Sequence, residues 1–383
     1  MKPQTPVFAL VAGETSGDLL GAEMIAELKS RHPDAIFVGI GGEKMQAQGL
    51  ESWFDMEQLS VMGFFEVLKR LRSLLKLRKS LIERLLALRP DVFIGIDAPD
   101  FNFTVERQLK AVGITTVHYV GPSVWAWREK RLLKIKHCVD GVLTLFPFEA
   151  PIYEKYAIPQ ACVGHPLAQK VPEQLDKNHA KQSLGFEAQT PITALLPGSR
   201  RAEIEAMLAL YLQVAQQLQT MHPSMQFIIP AANQKASVLI ESIVQRSDTS
   251  LKIHLLQGQS SEVLQAADQA LVTSGTATLE AALNRCPLVL AIKVHPISYW
   301  IMKRLATTQW VGLPNILAGR EIVKELIQDQ ATVENLTDAM AEIMQPSPRR
   351  LEQLSAFEQQ YQQLHQPSSK LAADAIMQWM TPA

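Results

Sequence analysis

Cysteine is scarce in this 383-residue chain. Cys138, Cys162 and Cys286 stand far apart with no C-x-x-C spacing. Three such thiols cannot all pair, which argues against a disulfide scaffold and a structural zinc site and for core thiols in a reducing compartment. Neither sign of charge is in excess: 37 basic against 38 acidic residues leave a formal net charge of -1, so bulk charge points to no nucleic acid. No run approaches the ~18 to 20 apolar residues of a spanning helix. The opening MKPQTPVFALVAGETSGD lacks the apolar core and small-residue cleavage site of a secretory signal. We expect a cytoplasmic chain, though not one barred from a membrane surface. The spacings H-E-x-x-H and G-x-S-x-G are also missing, which disfavours metallohydrolase and serine-hydrolase chemistry.

What is present is a rhythm. Short runs rich in Val, Ile, Leu and Phe alternate with longer helix-period segments, once in each half. The first set is VFALVAG, AIFVGIGG, DVFIGID, TTVHYVG and GVLTLFP; the second is ITALLPG, QFIIPAA, LKIHLLQG, QALVTSG and PLVLAI. Runs of this kind suit parallel strands covered on both faces, so the chain is expected to be α/β, with two Rossmann-like doubly wound domains. The polar stretch 165–191 breaks the rhythm, as does QPSPRR at 345–350. We therefore expect domains at 1–168 and 169–345, and a helical tail at 346–383.

Ligands of doubly wound sheets bind beyond the carboxyl ends of the strands, so the residues just after each run matter most. In LLPGSRRAEIEAML, a strand, a Pro-Gly turn and Ser199-Arg200 precede a helix. Gly198, Ser199 and Arg200 could hold an anion there, or Ser199 could be a plain helix cap with Glu203 and Glu205 answering the helix dipole. The spacing is not that of a Walker loop. LVTSGTATLEAAL repeats the arrangement, with Ser274, Gly275 and Thr276 at the turn. Glu280 follows a turn later, where a carboxylate suits sugar hydroxyls better than phosphate, or is simply solvated. The N-terminal turn AGETSGD departs from G-x-G-x-x-G, and its Glu14 and Asp18 suit a hydroxyl-rich ligand or a capped tight turn. Asp97 ends an otherwise apolar strand, as a helix cap or as a general base, with Asp100 its competitor. Trp125 and Trp127, beside Arg128, Lys130 and Arg131, could stack on a sugar or anchor a core.

The segment from Val61 to Pro90 is greasy and basic. Phe64, Val67, Leu68, Leu71, Leu74 and Leu75 recur at helical spacing, with Phe65 adjoining and Lys69, Arg70, Arg72, Lys76, Arg78 and Lys79 interleaved. Such a helix can lie in a lipid interface, while Leu81 to Leu88 reads as a crossover helix packed on a sheet.

Taken in order, AGETSGDLLGA, MGFFEVL, GIDAPDFN, HYVGPSVWAWREKR, LPGSRRAEI, TSGTATLEAAL and VGLPNILAGR closely resemble the lipid-A-disaccharide synthase family over Ala12 to Arg320. The resemblance implies a glycosyltransferase fold of the B type, two domains facing across a cleft with the nucleotide sugar held mainly by the C-terminal one. It implies condensation of UDP-2,3-diacylglucosamine with 2,3-diacylglucosamine 1-phosphate, giving the β(1→6)-linked disaccharide 1-phosphate and UDP with inversion. By the family's motifs Asp97 is the base, Arg200 meets the charge on departing UDP, Glu280 contacts ribose or uridine, and Asn315 belongs to the donor site. On the acceptor side the candidates are Glu14, Ser16, Asp18 and Trp127. No metal and no cofactor are expected. Partners would be the two acylated sugars and lipid at the inner face of the inner membrane, and the family admits a homodimer.

Two rival readings remain at this point. One is a UDP-N-acetylglucosamine epimerase, or another soluble UDP-sugar enzyme of the same fold, which would be indifferent to lipid. The other is a membrane-associated nucleotide-binding regulator without chemistry, in which Asp97 is only a cap.

Overall fold

The computed structural model describes residues 5–59, 64–124, 129–247, 251–273, 275–295, 299–300, 303–304 and 308–380, the side chains of 64–70 excepted. Each of the ten apolar runs becomes a strand. β1 (Val7–Ala12), β2 (Ile36–Ile40), β3 (Leu50–Ser52), β4 (Val92–Ile96), β5 (Thr115–Tyr119), β6 (Gly141–Thr144) and β7 (Gln160–Cys162) form a parallel sheet in the order β3-β2-β1-β4-β5-β6-β7. β8 (Ile192–Leu196), β9 (Gln226–Ala231), β10 (Ile253–Gln257), β11 (Gln269–Val272), β12 (Leu288–Ile292) and β13 (Lys324–Ile327) form a second, in the order β10-β9-β8-β11-β12-β13.

The runs lack polar alternation because both faces of each sheet are covered. In the second unit Leu195, Phe227 and Leu271 join Met207, Tyr211 and Leu218 of the helix Arg201–Met221. Their strand neighbours Ala194, Ile228 and Ala270 point the other way and meet Val263, Leu264, Ala281 and Ala282. Three strands escaped the sequence reading: β3, β7 and β13. All three are sheet edges, and short. β3 and β7 have only 3 residues each and β13 begins Lys324-Glu325, so none of the three carries an apolar run, whereas the edge strand β10 does.

In the first unit the helices that matter are α1 (Thr15–Arg31), α2 (Glu43–Ala47), α3 (Phe64–Leu88) and α4 (Pro99–Lys110). Leu77, Leu81, Ile82 and Leu85 of α3 and Val105 and Leu109 of α4 pack on Ala9, Val11 and Phe93. The two halves of α3 differ: Leu81, Ile82 and Leu85 are enclosed, whereas Leu71 is 42% and Leu75 45% exposed and Leu74 is half-buried. Phe64, Phe65, Val67 and Leu68 have side chains outside the described residues.

The chain divides into Met1–Pro166 with Leu364–Ala383 as one compact unit and Leu167–Gln363 as the other. The stretch expected as one helical tail is thus split. The helix Pro348–Leu364 lies almost wholly in the second unit, where Phe357 is in the core and the Gln353 carboxamide accepts from the Leu288 N–H (2.8 Å) and donates to its carbonyl (3.1 Å). The closing helix Ser368–Met380 returns to the first unit, where Asp374 pairs with Arg31 at 2.6 Å. Cys138 and Cys286 are buried, Cys162 is half-buried, and none forms a disulfide.

Candidate functional site

Each sheet has a topological switch point. In the first sheet it falls between β1 and β4, whose last residues, Ala12 and Ile96, are paired. The AGETSGD turn and Asp97 therefore emerge side by side. In the second sheet it falls between β8 and β11, where Leu196 pairs with Val272 and the Thr273 N–H donates to the Leu196 carbonyl at 3.0 Å. The turns Pro197 to Arg200 and Thr273 to Thr276 are neighbours in the same way, at the position where this fold class binds ligands.

Asp97 sits on an unusual backbone. Its φ is +52° and that of Ala98 is +44°, two consecutive left-handed residues without a glycine. Each such conformation costs on the order of 1–3 kcal/mol and persists only when its surroundings over-determine it. Here the Asp97 N–H donates to the Tyr119 carbonyl (2.8 Å), and the Asp97 carbonyl accepts from Asn102 Nδ2 (2.8 Å). Ala98, not Asp97, caps α4, and no side chain contributes to that cap. The half-buried Asp97 carboxylate has no hydrogen-bond or ion-pair partner among the described residues. Asp100 is otherwise engaged: its side chain is 92% exposed and paired with Arg131.

The residues of the N-terminal turn part company. Glu14 and Ser16 are exposed at the start of α1. Asp18 is buried, and its two oxygens accept from the Lys44 N–H (3.1 Å) and the Met45 N–H (3.0 Å), binding the first turn of α2 to α1. It lines a cavity of about 660 Å³ with Thr15, Lys44, Trp53 and Met56, each of its oxygens accepting one backbone bond. Trp125, Trp127 and Arg128 lie outside the described residues.

In the second unit the turn after β8 contains an anion of its own. Glu203 folds back from the first turn of the helix so that Oε2 accepts from the Ser199 N–H (3.1 Å) and the Arg200 N–H (3.2 Å), while Oε1 pairs with Arg200 Nη1 at 3.2 Å. The N-cap is Arg200, not Ser199, and Glu203 supplies the one half of a capping box present here, its carboxylate reaching back to the N-cap N–H. Gly198 makes this geometry available. Its φ is +113°, and a Cβ there would approach Glu203 Cβ to 2.5 Å. The Arg200 side chain is 84% exposed, so its guanidinium remains open to an incoming phosphate. Arg201, for which the sequence suggested no role, pairs with Glu205 at 2.8 Å.

At the neighbouring turn Gly275 precedes the helix Thr276–Leu283 with no side-chain cap, and Thr276 is exposed; Ser274 lies outside the described residues. Glu280 is half-buried, accepts from Ser260 Oγ at 2.9 Å, and burial raises its carboxyl above the usual range. Asn315 is wholly enclosed and fully bonded. Its Nδ2 donates to the Val323 carbonyl and Glu325 Oε1 (each 2.8 Å), and its Oδ1 accepts from the Ile322 and Val323 N–H groups (each 2.8 Å). No polar atom of Asn315 is left for a ligand, so it shapes the loop instead.

Sequence reasoning missed Glu325, whose carboxylate accepts from the Val311 and Gly312 N–H groups at 2.9 Å each and ties down the same loop. Nothing in the edge strand KELI marks it. It also missed Asn102, Glu106 and His118 behind Asp97. A signal existed: Asn102, Val105, Glu106 and Leu109 share one helical stripe, and two of the four are polar.

Two all-parallel α/β units, each with polar turns at its switch point, have the architecture of the glycosyltransferase B fold class. The sequence profile described as Lipid-A-disaccharide synthetase matches residues 8–380. The chain belongs to the lipid-A-disaccharide synthase family and is a glycosyltransferase that forms the lipid A disaccharide. It is 57% identical to the lipid-A-disaccharide synthase of Hydrogenovibrio crunogenus over 97% of this chain and 98% of that one. It is 47% identical to that of Enterobacter sp. over 97% of each. In fold it is similar to a Rickettsia africae glycosyltransferase (TM-score 0.62, 9% identity, 100% of both chains). It is likewise similar to the Neisseria meningitidis UDP-GlcNAc 2-epimerase (TM-score 0.59, 12% identity, 98% of this chain and 99% of that one). The epimerase likeness is one of fold alone, so neither the epimerase nor the regulator reading is favoured.

Proposed function

We propose that the chain condenses UDP-2,3-diacylglucosamine with 2,3-diacylglucosamine 1-phosphate, the second unit holding the donor and the first the acceptor. Asp97 takes the proton of the acceptor 6-hydroxyl as that oxygen attacks the anomeric carbon. The bond from that carbon to the diphosphate oxygen breaks, UDP departs, and the configuration inverts. Arg200, joined by the Gly198, Ser199, Gly275 and Thr276 turns, meets the charge that collects on the diphosphate, an electrostatic task suited to preorganised donors. Ser274 joins those turns by its place in the sequence. Glu280 accepts from ribose hydroxyls, and Glu14 and Ser16 serve the acceptor's hydroxyls. The observation that supports this reading most is the Asp97 carboxylate, unpartnered among the described residues on a strained turn at a switch point.

The test is incubation with both acylated monosaccharides, following disaccharide and UDP. Asp97→Ala is expected to lower kcat by about 10²- to 10⁴-fold, and Arg200→Ala by about 10²- to 10³-fold. No product from the parent chain sinks the substrate assignment. Near-normal turnover in Asp97→Ala removes the base while leaving the donor site standing.

No helix among the described residues is long and apolar enough to cross a membrane. Acylated substrates instead call for contact with the lipid surface, which we assign to the exposed part of α3, at the inner face of the inner membrane.

A further inference from the structure

Beneath the Asp97 turn lies a polar cluster that the reaction described above does not use. Asn102 and Glu106 stand one helical turn apart on the inward stripe of α4, and both are fully buried. Glu106 Oε1 lies 2.8 Å from Nδ1 of His118 in β5, also fully buried, and Phe103 stacks on the imidazole with centroids 4.4 Å apart. A contact of that length needs one proton between the two groups, and burial raises the Glu106 carboxyl's hold on it. The strand backbone makes room for the cluster: a Cβ on Gly95 would come within 2.3 Å of Glu106 Oε1 and 2.8 Å of Asn102 Cβ.

As a contribution to folding this arrangement is poor. Asn102 Oδ1, Glu106 Oε2 and His118 Nε2 are buried without a hydrogen-bond partner among the described residues. An apolar set of the same volume would pack at least as stably. What the cluster touches explains its presence better. Asn102 Nδ2 holds the Asp97 carbonyl, and the residue after His118, Tyr119, accepts the Asp97 N–H. Glu106 links α4 to β5, the two elements that grip Asp97 from either side.

We propose that Asn102, Glu106 and His118 form a buried positioning unit that locks the left-handed Asp97–Ala98 pair, aiming the Asp97 carboxylate at the acceptor hydroxyl. This rests on Asp97 being the base. Glu106 and His118 fix the spacing of α4 against β5, and Asn102 transmits it to the turn. None of the three needs to touch substrate.

The experiment measures steady-state UDP release by the full-length chain with both acylated sugars in detergent micelles. Asn102→Ala and Glu106→Leu are expected to lower kcat by about 10- to 100-fold, the scale of a misaimed catalytic group. KM for either substrate should stay within about twofold, since no binding contact is removed. Glu106→Gln, which can still share a proton with His118, should recover most of kcat. Equal impairment in Gln and Leu overturns the role of Glu106, and parental kcat in Asn102→Ala overturns the unit. Thermal unfolding establishes which variants fold. If Glu106→Leu does not, Asn102→Ala decides, because it deletes a single carboxamide. Asp97→Asn in the same assay separates the two readings. Full activity there overturns the base and with it the unit, whereas loss there beside a normal Asn102→Ala overturns positioning alone.

Discussion

Glu149 is enclosed just past β6, and one of its oxygens accepts from the Leu145 N–H (3.2 Å) and the Phe146 N–H (3.1 Å). Those two bonds favour the ionised form, but burial outweighs them and pushes the carboxyl up to about 7. The native state then holds a proton that the unfolded chain releases near its ordinary carboxyl pKa. Stability from this group is therefore complete below about pH 4.5 and is lost as pH rises through about 7. The loss amounts to about 3 kcal/mol when complete. Glu149→Gln keeps an acceptor for both amides and has no proton to lose. Unfolding midpoints of the parent should fall between pH 5 and pH 8 more steeply than those of the variant. Parallel curves would show that Glu149 does not titrate in that window. The same competition between burial and hydrogen bonding raises Glu280 and Glu325, so these two carboxyls share this sign.

Among the elements, α3 shows best how one periodic segment serves two environments. Its Leu81, Ile82 and Leu85 fill the core, while Leu71 and Leu75 face outward beside Arg72 and Lys76, a pattern suited to an anionic lipid interface. Moving each exposed leucine out of water is worth roughly 1–2 kcal/mol. Leu71→Ser combined with Leu75→Ser should therefore weaken co-sedimentation with acidic phospholipid vesicles by at least about tenfold, with the unfolding midpoint nearly unchanged. Sedimentation equal to that of the parent rejects α3 as the lipid contact. The sequence showed the greasy stripe and its division into an outward stretch up to Leu75 and a packed one from Leu81, and the structure adds that the enclosed part begins at Leu77. The turn after β8 shows a limit. Its Gly, Ser and Arg could be read as an anion site or a plain helix cap, whereas the occupation of its amides by Glu203 depends on a side-chain rotamer, which no spacing reveals.

For the molecule as a whole, the notable feature is that the chain ends where it began. After a second unit built on residues 167–363, the closing helix Ser368–Met380 packs against the first. Ile376 is fully buried, Asp374 pairs with Arg31 of α1, and the Trp379 ring lies against the Gly141 backbone of β6. Deleting the chain after Gln366 should therefore loosen the first unit and spare the second. Amide exchange is the measurement: protection should drop in β5, β6 and β7 and hold in β8, β9 and β11. Equal loosening of both sheets would mean that the helix does not stabilise the first unit selectively.

The sequence alone determined ten of the strands, nine of them inside their sheets and β10 at an edge, because a strand covered on both faces must be apolar along its length. It also determined which polar residues follow those strands and the motif set of the family. Tertiary structure decided what those polar residues are engaged in. Asp18 is occupied by α2, Asn315 by Glu325 and its own loop, and Glu203 by the turn before it, whereas Asp97 keeps its carboxylate unpartnered among the described residues. It also assembled Asn102, Glu106 and His118 behind Asp97 and returned the last helix to the first sheet. The reason is physical: hydrophobic periodicity records which faces are buried locally, but the partner of a polar side chain comes from a distant crossover and is set only when the sheets and helices pack.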